Sequence, residues 1–239
     1  MTPDSIRSLI NRRRVDLQET AGYPIERLAE IIREVGFSCD CCTRCCTADF
    51  NGHVFLLDKD AAKIRTLEPA GLVPAPGYEF CDQHGMFYVS GYSLRTRPDG
   101  TCIFLLNDRC RIYADRPEIC RVYPYMLHRE PDDAGVLDWR QISGLDEHGT
   151  YHDKISDDES LTIARMTKEY ELSFLSQEIA FLEFILEYFE RQGLRHVKRV
   201  YDLRMRDFHK GHSIDVYVWN GHGLELNAVG KKVSGTGAG

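Results

Sequence analysis

The sequence predicts an α+β protein: a small cysteine-rich, metal-binding core with short strands, flanked by N-terminal helices and a long C-terminal helix. Three observations carry that expectation. Five of the nine cysteines fall between residues 39 and 46, within FSCDCCTRCC, and Cys102, Cys110 and Cys120 follow in a second stretch. Thiolates are soft ligands that suit zinc and iron–sulfur groups, and cysteines two residues apart can turn back onto one metal or cluster. Between Tyr78 and Leu106, β-favouring segments such as MFYVSGY and CIFLL surround a PDG turn at Pro98–Gly100. From Asp157 to Gln192, Leu175, Ile179, Leu182, Leu186 and Phe189 recur every three or four positions, widened by Phe174, Phe181 and Ile185, as in an amphipathic helix.

Ser5–Glu19 reads as a polar helix and Pro24–Val35 as a better-formed one. In the second, Ile25, Leu28, Ile31 and Ile32 share a face, Pro24 suits the first turn and Gly36 the stop. After the cysteine run, His53–Leu57 reads as a strand, and Asp58 as the cap of a helix through about Leu67. Glu68–Gly77 reads as irregular connection. Arg116-Pro117 opens a helical turn between Cys110 and Cys120. Asp132–His152 is polar and Gly-punctuated, with VLDWRQI as one candidate strand. Asp157, Asp158 and Glu159 suit the start of the long helix and Gly193 its end. A helix over Leu194–Phe208 and a hairpin built on IDVYVW before Asn220-Gly221 follow. The segments divide as an N-terminal helical part (1–36), a cysteine-cluster domain (37–128), a mainly helical C-terminal region (129–228) and a flexible tail (229–239).

Composition narrows the functional classes. A chain of 239 residues with 43% hydrophobic and 28% charged residues is one to two ordinary globular domains. A net charge of −7 argues against nucleic acid as a partner, and Arg12, Arg13 and Arg14 read as a solvated helix face. No segment approaches the roughly 20 apolar residues a bilayer span requires, and the N-terminus has no apolar secretory core. The expected setting is the reducing cytoplasm, where clustered cysteines bind metal more often than they bridge. A disulfide framework would leave one of the nine thiols over and would strain near-adjacent pairs.

Together the two stretches read C-x2-C-x2-C-C, then CIFL at Cys102, CRIY at Cys110 and, after ADRPEI, CRVYPY at Cys120. The pattern resembles the YkgJ-like cysteine-cluster family, a zinc- or iron-chelating domain with a CxxCxxCC motif, over roughly residues 37 to 126. The resemblance implies seven metal-binding positions: Cys39, Cys42, Cys45, Cys46, Cys102, Cys110 and Cys120. Cys41 and Cys81 depart from it and are not expected to bind.

The metal itself is open to argument. Seven cysteines exceed one structural zinc site and fall one short of two, whereas C-x2-C-x2-C spacing is what ferredoxin-like sequences use for a four-iron cluster. Side chains of adjacent Cys45 and Cys46 are expected to diverge and to serve different atoms. An iron–sulfur cluster, four-iron in type, is therefore favoured over zinc. Arg44, Arg111 and Arg121 are candidates to offset its negative charge around the ligands, while Tyr113, Tyr123, Pro117 and Pro124 read as scaffold. His148, His152, His209 and His212 read as surface residues.

No phosphate loop, nucleophile elbow or zinc-protease helix is present. The leading expectation is a cluster-bearing protein for electron transfer, redox sensing or support of a partner enzyme, with a protein or redox partner and a second copy of the chain as a candidate. A structural-zinc interaction module is the second reading. Flagellin lysine N-methylases contain a similar cysteine motif, so an accessory or catalytic role in protein lysine methylation is the third, and whether the chain is an enzyme is left open.

Overall fold

A computed structural model describes residues 3–125, 128–131, 137–140 and 147–230. Its helices are α1 (Pro3–Gly22), α2 (Ile25–Val35), the single turn α3 (Ala48–Asn51), α4 (Asp58–Leu67), α5 (Glu118–Val122), α6 (Asp157–Gln192) and α7 (Lys198–His209). The strands are β1 (Leu72–Pro74), β2 (Phe80–Cys81), β3 (Phe87–Val89), β4 (Tyr92–Leu94), β5 (Leu105–Leu106), β6 (Arg109–Cys110), β7 (His128–Pro131), β8 (Leu137–Arg140), β9 (Ile214–Trp219) and β10 (Leu224–Val229). The architecture is α+β, with N-terminal helices, a cysteine-rich region with short strands and a long C-terminal helix.

One mixed sheet organises the molecule, in the order β10-β9-β3-β2. β9 runs parallel to β3, with Tyr88 opposite Tyr217, and antiparallel to β10, with Trp219 opposite Leu224. Successive residues of a strand face opposite ways, and here each face has its own core. Phe87 and Val89 of β3 and Val216 and Val218 of β9 join Leu56, Ile64, Leu94 and Phe104 on one side. Tyr88 and Trp219 join Phe80 and the Phe181, Leu182, Ile185 and Phe189 face of α6 on the other, together with Ile6 and Ile10 of α1.

The 36-residue helix α6 is held as its termini suggest: Ser156 Oγ accepts the Glu159 N–H at its start, and Gly193 takes the left-handed conformation at its end. Its wide apolar face is covered within the chain by the sheet, α1 and α2. Arg13 and Arg14 are not a merely solvated face. They pair with Glu178 at 2.9 Å and Glu183 at 2.6 Å on α6.

Several local expectations are corrected. His53–Leu57 forms no strand: Phe55 makes a single bridge to Ser93, and the chain then enters α4. Leu57, not Asp58, is the capping position of α4, and the Asp58 N–H donates to Gln177 Oε1 of α6 at 2.8 Å. Glu68–Gly77 contains β1, which pairs with β4. α7 begins at Lys198, four residues later than expected, because Leu194 and Val197 satisfy backbone groups at the end of α6 and in β2. VLDWRQI contributes β8 at Leu137–Arg140, paired with an unanticipated β7. The expected tail lies outside the described residues from Lys231 onward.

Candidate metal centre

Gly36 ends α2 in the left-handed region, and the chain turns directly into the cysteine run. Cys41 and Thr43 also have positive φ, 60° and 67°, a conformation that costs a side-chain-bearing residue about 1 kcal/mol or more. That folding bends the run back on itself. Burial raises the Cys39 thiol and the Cys41 backbone amide opposes that rise, while the Cys42 N–H donates to Asp40 Oδ1 at 2.9 Å. A turn over Arg44–Cys46 follows, closed by the Cys46 N–H on Thr43 O at 2.8 Å.

The second stretch is attached to the end of the first. The Cys102 N–H donates to Cys46 O at 2.8 Å, beside a Thr47–Thr101 bridge. The β5–β6 hairpin then turns on Asn107 and Asp108, both at positive φ (48° and 58°), the two-residue turn whose twist matches paired strands. The hairpin delivers Cys110. The backbone amides of Phe104 and Ile112 favour the charged forms of Cys102 and Cys110, so three cysteines each sense the amide two residues on. α5 presents Cys120, with the Glu118 N–H anchored on Asp60 Oδ2 at 3.1 Å and Ile119 and Val122 packed near Tyr170 of α6.

These elements bring thiols together. Burial pushes the Cys120 thiol up, and the charges of Cys102, Cys46 and Cys110 push it further. Cys102 and Cys110 are raised for the same reasons, burial first, with Cys46 among the neighbours each feels. The sulfurs of Cys45 and Cys46 lie 4.0 Å apart, and one proton shared between them makes Cys46 the easier to ionise. Adjacent positions in a tight turn therefore converge here, against the expected divergence. Cys45 also feels Cys39 and Cys120. Cys39 and Cys42 are exposed at the lip of the group, where Cys42 is sensed by the Tyr123 hydroxyl.

Cys81 lies elsewhere. It is wholly buried in β2, its N–H on His196 Nδ1 at 2.9 Å, and burial raises its thiol to about 12. Cys41 is exposed, and its backbone serves Cys39. The three singled-out arginines bind oxygen: Arg44 the Glu147 carbonyl, Arg111 the Glu68 carboxylate at 3.1 Å, and Arg121 the carbonyls of Arg116 and Ala114.

Sequence reasoning missed Arg97 and Arg116. Arg97 clamps the Cys102 loop through the carbonyls of Cys102, Ile103 and Leu105 at 2.7 to 2.9 Å, and its charge favours the Cys102 thiolate. Arg116 does the same for Cys110 and Cys120. His148 is also not a surface residue. It is 5% exposed, caged by Phe37, Phe50, Tyr123 and Tyr151, and its Nε2 lies 2.6 Å from the Tyr123 hydroxyl. Apart from Tyr151, its aromatic surroundings come from distant segments, so the local sequence did not mark it.

Among the described residues no three His, Cys, Asp or Glu side chains converge tightly enough to hold a single ion. The donor chemistry nevertheless fits a thiolate-bound group: soft ligands from both stretches, amides that favour charged sulfur and nearby cations. Residues 38–148 match the family model CxxCxxCC, described as "Putative zinc- or iron-chelating domain". No curated protein and no solved structure matches the chain.

Proposed function

We propose, from the zinc- or iron-chelating CxxCxxCC domain at residues 38–148, that the protein holds an iron–sulfur cluster between its two cysteine stretches for electron transfer or redox sensing with a protein partner. The observation that supports this most is the joining of the two stretches, with the Cys102 N–H on Cys46 O at 2.8 Å, and Cys120 of α5 feels the charges of Cys102, Cys46 and Cys110. Four thiolates are the usual protein complement of a four-iron cluster. Cys39, Cys42 and Cys45 lie beyond that complement of four and are available to exchange with its members or to hold a second metal. When bound, such a cluster supplies one-electron redox chemistry. The chain's own part is electrostatic: the N–H groups of Cys41, Phe104 and Ile112, with Arg97 and Arg116, favour charged sulfur and compensate its negative charge. The exposed lip at Cys39, Cys41 and Cys42 leaves one edge open to a partner.

One observation favours zinc as a second reading. The 4.0 Å between the Cys45 and Cys46 sulfurs is close to the ~3.8 Å ligand edge of a tetrahedral site with zinc–sulfur bonds of about 2.3 Å. Anaerobic purification with metal and sulfide analysis separates the two. We expect brown protein containing iron and acid-labile sulfide in about equal amounts; colourless protein with stoichiometric zinc and no sulfide would overturn the cluster. In the same assay Cys120→Ala loses the metal and Cys81→Ala retains it.

A further inference from the structure

A cleft of ≈ 370 Å³ opens between α4, the segment carrying α5, and α6, and Lys59, Lys63, Arg116 and Arg121 all line it. That is a concentration of cations in a chain of net charge −7. Two of the four are already matched: Lys59 Nζ meets Glu118 at 2.6 Å and Lys63 Nζ meets Asp115 at 2.8 Å. The arginines differ. Arg121 spends its bonds on neutral carbonyls, Nε on Arg116 O at 3.0 Å and Nη2 on Ala114 O at 2.5 Å, and so keeps its charge.

Arg116 makes neither a side-chain hydrogen bond nor an ion pair among the described residues. Its guanidinium sits 4.0 Å over the Tyr113 ring, and its Nε is buried without a hydrogen-bond partner. An unsatisfied buried donor is costly, while stacking fixes the guanidinium plane and leaves its fork prearranged for an oxyanion. The carboxylates along the cleft do not occupy it: Asp60 accepts the Glu118 N–H on the buried side, and Glu169 stands exposed on α6. Val122 and Met166 add an apolar wall.

We propose that this cleft binds a small phosphate-bearing molecule, its phosphate gripped by Arg116 and Arg121 and its organic part against Val122 and Met166. A dianion matches paired guanidinium groups, and the volume exceeds what bare phosphate fills. The site stands independently of any metal. Its influence on Cys110 and Cys120, through the charge of Arg116, rests on the metal-binding reading above.

Calorimetric titration of the full chain, at fixed metal content, with inorganic phosphate and then with phenyl phosphate as a simple monoester is the test. Saturable one-site binding is expected, tighter for the monoester. Arg116→Ala weakens it at least tenfold, Arg116→Lys by less, and Arg7→Ala, on the α1–α6 side, leaves it unchanged. No saturable binding of either probe, or unchanged affinity in Arg116→Ala, overturns the site. Should Arg116→Ala fail to fold by circular dichroism, Arg121→Gln decides: a several-fold loss supports the cleft and an unchanged affinity overturns it. Neither result bears on whether the cysteines hold metal.

Discussion

Glu79 has one carboxylate oxygen satisfied and one not. Oε1 accepts the Ser90 hydroxyl at 2.6 Å and its N–H at 3.3 Å, whereas Oε2 is buried with no hydrogen-bond partner among the described residues. Although part of the residue reaches solvent, burial of the carboxyl raises it from 4.5 to about 7, with Ser90 opposing that rise. The folded protein therefore keeps this proton at pH values where the unfolded chain has lost it. The resulting stabilisation is fully present below about pH 4.5 and is lost as pH rises through about 7, an effect on the order of 3 kcal/mol. Glu79→Gln, which cannot ionise, should unfold at higher denaturant than the parent at pH 8 and show little advantage at pH 5. Parallel pH slopes for the two proteins would refute this account. A buried polar group with few partners, here the Arg116 Nε, likewise distinguishes Arg116 from the arginines that sequence neighbourhood alone singled out.

The segment around His148 acts as a strap across the cysteine run. Ser38 and Thr150 exchange backbone hydrogen bonds at 2.9 Å in both directions, Arg44 reaches the Glu147 carbonyl, and the Asp153 N–H donates to Gly36 O at 2.9 Å. Gly149 allows that closeness: its φ is +69°, and an added Cβ would meet Phe37 Cε2 at 2.4 Å and Ser38 O at 2.9 Å. Gly149→Ala should cost about 2 kcal/mol or more and speed hydrogen exchange at the Thr150 amide; unchanged exchange there would show that the strap does not depend on the glycine. Elements with local signals were legible in the sequence. α6 announced itself through its apolar period, the acidic residues at its start and Gly193, and β9–β10 through its alternation and Asn220-Gly221. The parallel pairing of β3 with β9 was not legible, since it joins segments more than a hundred residues apart and depends on which faces α6 and α4 leave to be covered. The site divides in the same way. The cysteines and their two stretches were visible as residue types at a spacing, while Arg97, Arg116 and the His148 cage depend on where the fold places them.

Across the whole molecule, the thiol group stands at the margin of the apolar cores. Cys102 and Cys110 pack against the edge of the core formed by β3, β9 and α4, and Cys120 against the small cluster beneath α5. The fully buried large side chains belong mainly to the sheet and the helices that cover it, including Tyr88, Phe80, Phe181 and Ile185. Stability is not uniform in such a molecule, and metal binding contributes folding free energy where ligands arrive from separate segments. Removing the metal should accordingly loosen the 39–51 run, the β5–β6 hairpin and α5, which rely on short-range turns and partly exposed contacts. It should leave α6 and the four-stranded sheet intact, because their cores contain none of the seven ligand candidates as a buried member. Hydrogen-exchange mass spectrometry before and after chelation checks this directly. Faster exchange confined to residues 39–51 and 102–122, with the helical circular dichroism nearly unchanged, is the expected result. Cooperative loss of helicity on chelation would instead make the metal part of the global fold, with the sheet and α6 unable to stand without the thiol group being closed.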